Sequence, residues 1–397
     1  MASAWLILIA ALLVQIAVAN IIQGIPTLAP FLQADLELSN AQVGLLNSYI
    51  FGGFVIGSVP MGYLSDRLGS RVMLIGGSAL IGVLALLTGW LIGGGWRFSL
   101  ALVLIGLIGS VAVPAGTRAV ARAFPTRRRG LALSLRQTGV PLGGALAAAT
   151  LPGVALATDW RTATLVAGGV ALLASLVCAL LYWLRPRDTS KTYVPPPDAG
   201  ADTPKITRDL LLVSVAGSTL PVGQFIMITY LILFLRDALG IPELTGAALL
   251  TTAQLLGAGS RVFFSALSDR FSGRRKPLLL MVVAATGLGA FTLGQLSADT
   301  PLPLVVTVVL VYGACVLGWQ GLYFTLISEL SPPGFEGRSV GFSLIFTSLG
   351  ILSGPPLFGL VVDTTGSYRL AWQLLAVVLA VGVSLLSLVR EPERKDA

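Results

Sequence analysis

The sequence predicts an all-α membrane protein whose twelve spanning helices form two pseudo-symmetric six-helix bundles. Three observations lead there. Hydrophobic residues fill 55% of the 397 positions and charged residues 11%, against about 25% charged in a soluble domain. Apolar stretches close to the roughly 20 residues that a bilayer core demands recur along the whole chain. A charged turn interrupts them once in each half, as Ser65-Asp66-Arg67 and again as Ser268-Asp269-Arg270.

The first apolar run, Ala4 to Phe31, is too long for the core of a signal peptide. It has no basic flank before it and no clean small-residue cleavage site, so it reads as a retained span. Spans are expected near 4–33, 42–64, 72–93, 98–123, 131–156 and 161–184. A second set is expected near 210–236, 245–267, 277–297, 303–328, 338–362 and 370–389. Residues 1–184 thus form a first bundle and 210–397 a second. Between them, 185–209 is polar and rich in proline; it cannot bury enough apolar surface to order itself and reads as a cytoplasmic linker.

Orientation follows from Lys and Arg. With the N-terminus inside, 19 of the 26 basic residues fall in cytoplasmic segments and four on the opposite side. That bias predicts a multi-pass protein of the plasma (inner) membrane with both termini cytoplasmic. The net charge of +8 is then a topology signal, and nucleic acid is not expected as a partner. The chain has no histidine, which removes the commonest metal ligand and general base. Its two cysteines, Cys178 and Cys315, lie inside apolar runs and form neither a disulfide framework nor a CxxC site. With no candidate acid/base pair at depth, the chain reads as neither an enzyme nor a cofactor or metal protein.

The first charged turn reads Gly62-Tyr-Leu-Ser-Asp66-Arg67-Leu-Gly69-Ser-Arg71. This pattern resembles the signature of the major facilitator superfamily: Gly, two residues, an Asp-Arg pair, Gly and a basic residue. The second copy, running from Ser265 through Asp269 and Arg270 to Arg275, departs from it with Ser265 in place of the first glycine. The resemblance extends over the whole chain through the six-plus-six plan. It implies the major facilitator fold and secondary transport by alternating access, and says little about cargo. Physically, Gly62 would let the second span approach a neighbour closely. An aspartate beside the N-terminus of another helix interacts well with its dipole. In the superfamily the first-half aspartate lies near the eleventh span, and symmetry places the second near the fifth. Gly62, Asp66, Arg67, Arg71, Asp269 and Arg270 are therefore expected to form conformational latches, the alternative being that they only fix topology and turn geometry.

Ionisable groups at membrane depth are costly and mark function. No Asp or Glu lies near the middle of a predicted span; the intramembrane charges are Arg118, Arg136 and Arg261. Each lies four to seven residues from its cytoplasmic end, roughly 6–10 Å deep. Guanidiniums without matching carboxylates call for an anion. Alternatives stand beside that reading. Arg118 can snorkel to the surface that Arg122 reaches, and Arg136 can pair with Glu329 or with a helix C-terminus. Arg261 is the leading candidate for ligand contact. Its place in Gly259-Ser-Arg261-Val-Phe-Phe-Ser265 is similar to the eighth-span arginine with which monocarboxylate and oxalate carriers hold a carboxylate.

The stretch FPTRRRGLALSLRQTGVPLGG, Phe124 to Gly144, also resembles the fourth-to-fifth-span signature of monocarboxylate-type carriers. It partly resembles the fifth-span motif of drug/proton antiporters, without that motif's fuller glycine spacing. In both, Pro141 weakens the helix while Gly139, Gly143 and Gly144 allow close packing. Gly350 and Gly354-Pro355-Pro356 look like the counterpart in the second half.

Polar groups near the middle of spans complete the candidate site: Asn20 and Gln23, Gln137, Gln224 and Tyr230, and Trp319, Gln320 and Tyr323. Each either faces a ligand or bonds a neighbouring backbone; Trp319 and Tyr323, four apart, form either a cavity wall or ordinary packing. The sequence thus points to a carrier of a small organic anion, monomeric in the lipid bilayer, with protons or a counter-anion as possible coupling partners. A multidrug proton antiporter is the alternative, and the buried arginines argue against cationic cargo.

Overall fold

The computed structural model describes residues 2–91, 95–184, 206–270, 275–332 and 335–390. The side chain of Asp269 and most of the expected linker lie outside the described residues. Sixteen helices account for nearly all of the rest: α1 (Ala2–Thr27), α2 (Ala29–Leu36), α3 (Asn40–Leu68), α4 (Ser70–Leu91), α5 (Trp96–Gly109), α6 (Ala112–Ala123), α7 (Thr126–Gln137), α8 (Gly139–Ala157), α9 (Trp160–Trp183), α10 (Arg208–Leu239), α11 (Glu243–Arg270), α12 (Arg275–Leu293), α13 (Leu302–Gly318), α14 (Gln320–Leu330), α15 (Glu336–Thr365) and α16 (Tyr368–Ser387).

Among the described residues, sixteen helices correspond to the twelve predicted spans because four of those spans are broken. Three breaks follow from proline, which has no N–H for the carbonyl four residues back. Pro30 fails Pro26 and the chain turns at Leu28; Pro114 fails Ser110 and the chain turns at Ser110–Val111; Pro141 fails Gln137 and the chain turns at Thr138. The fourth break, at Trp319 between α13 and α14, lies between Gly318 and Gly321, whose weak helix propensity replaces the proline.

Among the described residues, eleven helical stretches are long and apolar enough to cross a membrane. The twelfth pass, α11, has 28 residues but carries Gln254 and Arg261 near its middle, so its composition is more polar than that of the others. Many large apolar side chains point outward, Val59 at 78% exposure and Leu288 at 67% among them. In water such a surface would aggregate; in a bilayer it meets lipid.

The chain divides into two compact units: Met1–Tyr193 with Ile241–Thr251, and Val194–Gly240 with Thr252–Ala397. In the first, α1 is central and packs on α8, α9 and α6, while α3 packs on α5 and α4 on α9. In the second, α10 packs on α15 and α16, and α12 on α16. Glycines set these crossings. A Cβ at Gly53 would lie 1.9 Å from the Val103 carbonyl oxygen, and one at Gly106 would lie 1.7 Å from that of Ile50. A Cβ at Gly62 would meet nothing within 4 Å. The close approach expected at Gly62 is therefore made by Gly53 and Gly57, earlier on the same helix.

The glycine pair of each half behaves alike. A Cβ at Gly143 would lie 2.4 Å from the Ile16 carbonyl oxygen, and one at Gly350 would lie 2.2 Å from that of Ser218. The first joins α8 to α1 and the second joins α15 to α10, so the fifth and eleventh spans dock on the first and seventh through glycine.

Candidate substrate-binding site

The three intramembrane arginines sit in three different environments. Arg118, on α6, pairs with the Asp66 carboxylate and donates from Nη1 to the Ser65 carbonyl at 2.9 Å. That carbonyl also accepts the Gly69 N–H at 3.1 Å, where Gly69 ends α3 with φ of 82°. Arg118 is therefore not an unmatched guanidinium, as its sequence position suggested. It ties α6 to the end of α3 within the first unit, and Asp66 has its described partner there. Arg67 stacks on Tyr63, its guanidinium carbon 4.4 Å from the ring centroid, and Arg71 lies 6.0 Å from that of Tyr182.

Arg136, at the end of α7, is 1% exposed. Its Nη1 donates to Gln15 Oε1 at 2.8 Å and to the Ala112 carbonyl at 3.1 Å, and its Nη2 donates to Gln137 Oε1 at 3.0 Å. Ala112 opens α6 just after the Pro114-induced break. Only Nε is left without a partner. Both terminal nitrogens are thus committed within the first unit. Within the second unit, Glu329 meets Arg275 at 3.4 Å, which also donates to Ser268 Oγ.

Arg261, on α11, is 9% exposed. Its Nε donates to the Leu317 carbonyl at 2.9 Å, next to the α13–α14 break. Ser260, one residue before, donates to the Ala314 carbonyl at 2.7 Å. Gly318 and Gly321 permit this approach: a Cβ at either would come within 2.6 Å of Ser260 Oγ or 2.4 Å of Ser265 Oγ respectively. Nη2 of Arg261 is buried with no partner. Among the described residues, no carboxylate pairs with Arg261 or with Arg136. Arg261 is thus fixed along one edge and holds unused donors on the other.

The neutral candidates divide similarly. Gln23 donates to the Val140 carbonyl at 2.8 Å. Trp319 Nε1 donates to Gln224 Oε1 at 3.1 Å, and Tyr230 donates to the Pro355 carbonyl at 3.0 Å. Trp319 and Tyr323 meet edge-on with centroids 5.4 Å apart, and Phe324 extends the cluster 5.2 Å from Tyr323. Gln320 is half-buried at the start of α14 and Gln137 is exposed. Asn20 is 1% exposed with neither amide atom partnered. Gln15, Ser260 and the Leu317 carbonyl were not among the residues picked out from the sequence. A glutamine within an apolar span was the one visible signal for Gln15; the freed carbonyl has none, because it depends on where α13 stops.

Among the described residues, eleven helical stretches able to cross a membrane, with α11 of similar length and buried guanidiniums within them, define a multi-pass helical membrane protein. The Major Facilitator Superfamily model matches residues 7–351, and the chain belongs to that superfamily. It is 30% identical over 390 residues to an MFS-type transporter of Mycobacterium tuberculosis, covering 96% of this chain and 84% of that protein. It is 27% identical over 367 residues to monocarboxylate transporter 13 of Rattus norvegicus, covering 89% and 81%. A crystal structure of a bacterial homolog of the human lysosomal transporter Spinster, in an inward-facing and occupied conformation, shares the fold, with a TM-score of 0.79 and 17% identity over 96% of each chain. The protein is not an enzyme.

Proposed function

We propose that the protein carries a small organic anion, a carboxylate, across the membrane, with Arg261 as the group that binds it. One observation carries the reading: Arg261 is buried, anchored through Nε to the Leu317 carbonyl, and leaves Nη2 unpartnered where, among the described residues, no carboxylate neutralises it. An uncompensated buried charge is expensive, and a carboxylate from solution is the group that a free guanidinium edge fits best. The relative named as a monocarboxylate transporter supports the same class of cargo.

In this reading the two bundles alternate access by rocking. Arg136 serves as a fixed charge whose donors are already committed, and Trp319, Tyr323 and Gln224 shape the pocket around the cargo. Asp66 and Arg118 act together as the first latch; the second latch, at Asp269 and Arg270, is carried by symmetry. Both termini face the cytoplasm, and the inner membrane is the site of action. The lack of an embedded acid favours anion exchange or uniport, or symport in which the cargo brings its own proton. The test is uptake into proteoliposomes from a panel of radiolabelled monocarboxylates, dicarboxylates, inorganic anions and organic cations, with Arg261→Ala alongside. Carboxylate uptake that disappears in the variant is the expected result. Uptake of organic cations that is indifferent to Arg261→Ala would replace this reading with that of an efflux carrier.

A further inference from the structure

Three helices of the second unit enclose a long trough of about 410 Å³. α10 forms its floor, and α15 and α16 form its walls. Both walls reach the floor through glycine: a Cβ at Gly350 would lie 2.2 Å from the Ser218 carbonyl oxygen, and one at Gly382 would lie 2.3 Å from Thr219 Oγ1. Along α15 the lining runs from Phe346 through Leu349, Ser353 and Leu357 to Val361, in steps of three and four residues. That spacing follows one face of a helix, so the trough lies parallel to the span. At 1.5 Å per residue it extends roughly 22 Å, and its volume spread over that length leaves a cross-section of about 18 Å². Such a channel is too narrow for a fused ring system and takes one unbranched hydrocarbon chain.

The lining admits nothing polar. Among the described residues, no charged side chain borders the trough. Its three hydroxyls are spent inside their own helices: Ser218 donates to the Val215 carbonyl at 2.7 Å, Thr219 to that of Ala216 at 2.7 Å and Ser353 to that of Leu349 at 2.8 Å. A polar ligand would give up its hydration there without return. The trough opens on the outward face, where Leu357 is 57% and Leu374 44% exposed, and it is continuous with the apolar surface that meets lipid.

We infer that this trough binds one acyl chain of a bilayer phospholipid, held between the eleventh and twelfth spans along the glycine dock of the eleventh on the seventh. Length, width, direction and polarity all match a lipid tail that runs beside the span. Lipid tails are as apolar as the lining, so the attraction rests on packing: a trough left empty forfeits the contacts of its walls. With no charge along the trough, the chain is recognised and the headgroup is not. This site is independent of the anion reading.

The experiment uses full-length protein in vesicles of phosphatidylethanolamine and phosphatidylglycerol, doped with a phospholipid that carries a diazirine on one acyl chain. Crosslinked positions are mapped by mass spectrometry. Ser353→Phe fills the trough midway without removing a bond between helices. Val377→Phe places the same bulk on α16 outside the trough, at a position 59% exposed. Crosslinks are expected to concentrate on the trough-lining residues of α15 and α16 in wild type and in Val377→Phe, and to fall there by about tenfold in Ser353→Phe. Ser353→Leu, a smaller filler, repeats the loss should Ser353→Phe fail to fold. Thermal denaturation of delipidated protein in detergent gives a second readout. Dioleoyl phosphatidylglycerol and dioleoyl phosphatidylethanolamine raise the Tm of wild type alike by a few degrees, dihexanoyl phosphatidylglycerol does not, and the filled variants show no gain. Crosslinks spread evenly over the outward face, trough labelling that survives both fillers, or a Tm gain that depends on the headgroup overturns the inference. A gain given by oleic acid and not by the phospholipids overturns it too, since the occupant would then be a free fatty acid.

Discussion

At the scale of single residues, three arginines of similar depth differ in what their nitrogens touch, and this difference predicts opposite mutant behaviour. Arg136→Ala strips a partner from Gln15 Oε1 and Gln137 Oε1 and opens a void where the side chain is 1% exposed. A loss of roughly 1–3 kcal/mol is expected, seen as a lowered Tm in detergent and reduced yield of monodisperse protein. Arg261→Ala removes one bond to a carbonyl and an uncompensated charge, so its Tm stays close to wild type while anion uptake is lost. Arg261→Lys fails as well, by about tenfold or more, because an ammonium cannot bond the Leu317 carbonyl and still present a planar pair of donors. Should both arginines prove to be stability mutants with intact uptake, neither holds the cargo. The inventory of buried arginines was legible in the sequence. Which of them was free was not, because it turns on Asp66 lying beside Arg118 and on Gln15 reaching Arg136 from another helix, and no local spacing encodes those distances.

At the scale of elements, the helices are set by glycine and by the caps at their ends. The α3–α5 crossing places backbone against backbone at Gly53 and Gly106, where an added methyl would fall 1.9 and 1.7 Å from a carbonyl oxygen. No side chain can swing aside to make room. Gly106→Ala is therefore expected to abolish accumulation of folded protein, while Gly62→Ala, with open space around it, leaves Tm unchanged; fluorescence-detected size exclusion on the two variants checks the pair. At the other end of the first unit, Asp35 joins the end of α2 to the start of α9. It accepts Trp160 Nε1 at 2.8 Å and Arg161 Nη1 at 2.9 Å. The Trp160 bond, followed by that from Arg161, holds its carboxyl below the usual carboxylate range despite some desolvation. A depressed folded value means that the bonded carboxylate stabilises above the unfolded pKa and that this stabilisation is lost as pH falls through the folded one. Asp35→Asn should accordingly lower Tm slightly at neutral pH, with the gap to wild type closing in acid. A gap that is constant with pH would show that charge contributes nothing there. The spans, and the weakening of the fifth at Pro141, were readable in the sequence; the breaks at Leu28 and Ser110 were not, because Pro60, Pro152 and Pro221 sit inside helices that continue unbroken. The break at Trp319 has only flanking glycines to announce it, and it frees the carbonyl that anchors Arg261.

At the scale of the whole molecule, charge does two separate jobs. Inside the spans, one unit keeps its arginines occupied and the other keeps one open. Outside them, the basic residues lie mostly at one set of helix ends: Arg67, Arg71 and Arg128 belong to connections on one predicted side, whereas the connection that includes Ala298 contains no Lys or Arg. Moving such a cluster across a bilayer is opposed by the membrane potential and by the attraction of anionic headgroups, so in the proposed orientation these ends remain in the cytoplasm. That proposed orientation would put the repeated Ser-Asp-Arg turn on the cytoplasmic side in both halves, as a pair of latches there requires. This predicts the outcome of cysteine labelling. Cys178 is fully buried and Cys315 lies within α13, so the native background reacts little with an impermeant maleimide. In intact cells, Ala298→Cys, at an exposed position between α12 and α13, is expected to label, whereas Arg128→Cys, exposed near the start of α7, labels only after permeabilisation. The reverse pattern would put the Asp66–Arg118 pair on the outer side and turn the proposed latch around. Labelling of both positions in intact cells would mean that charge does not set the topology.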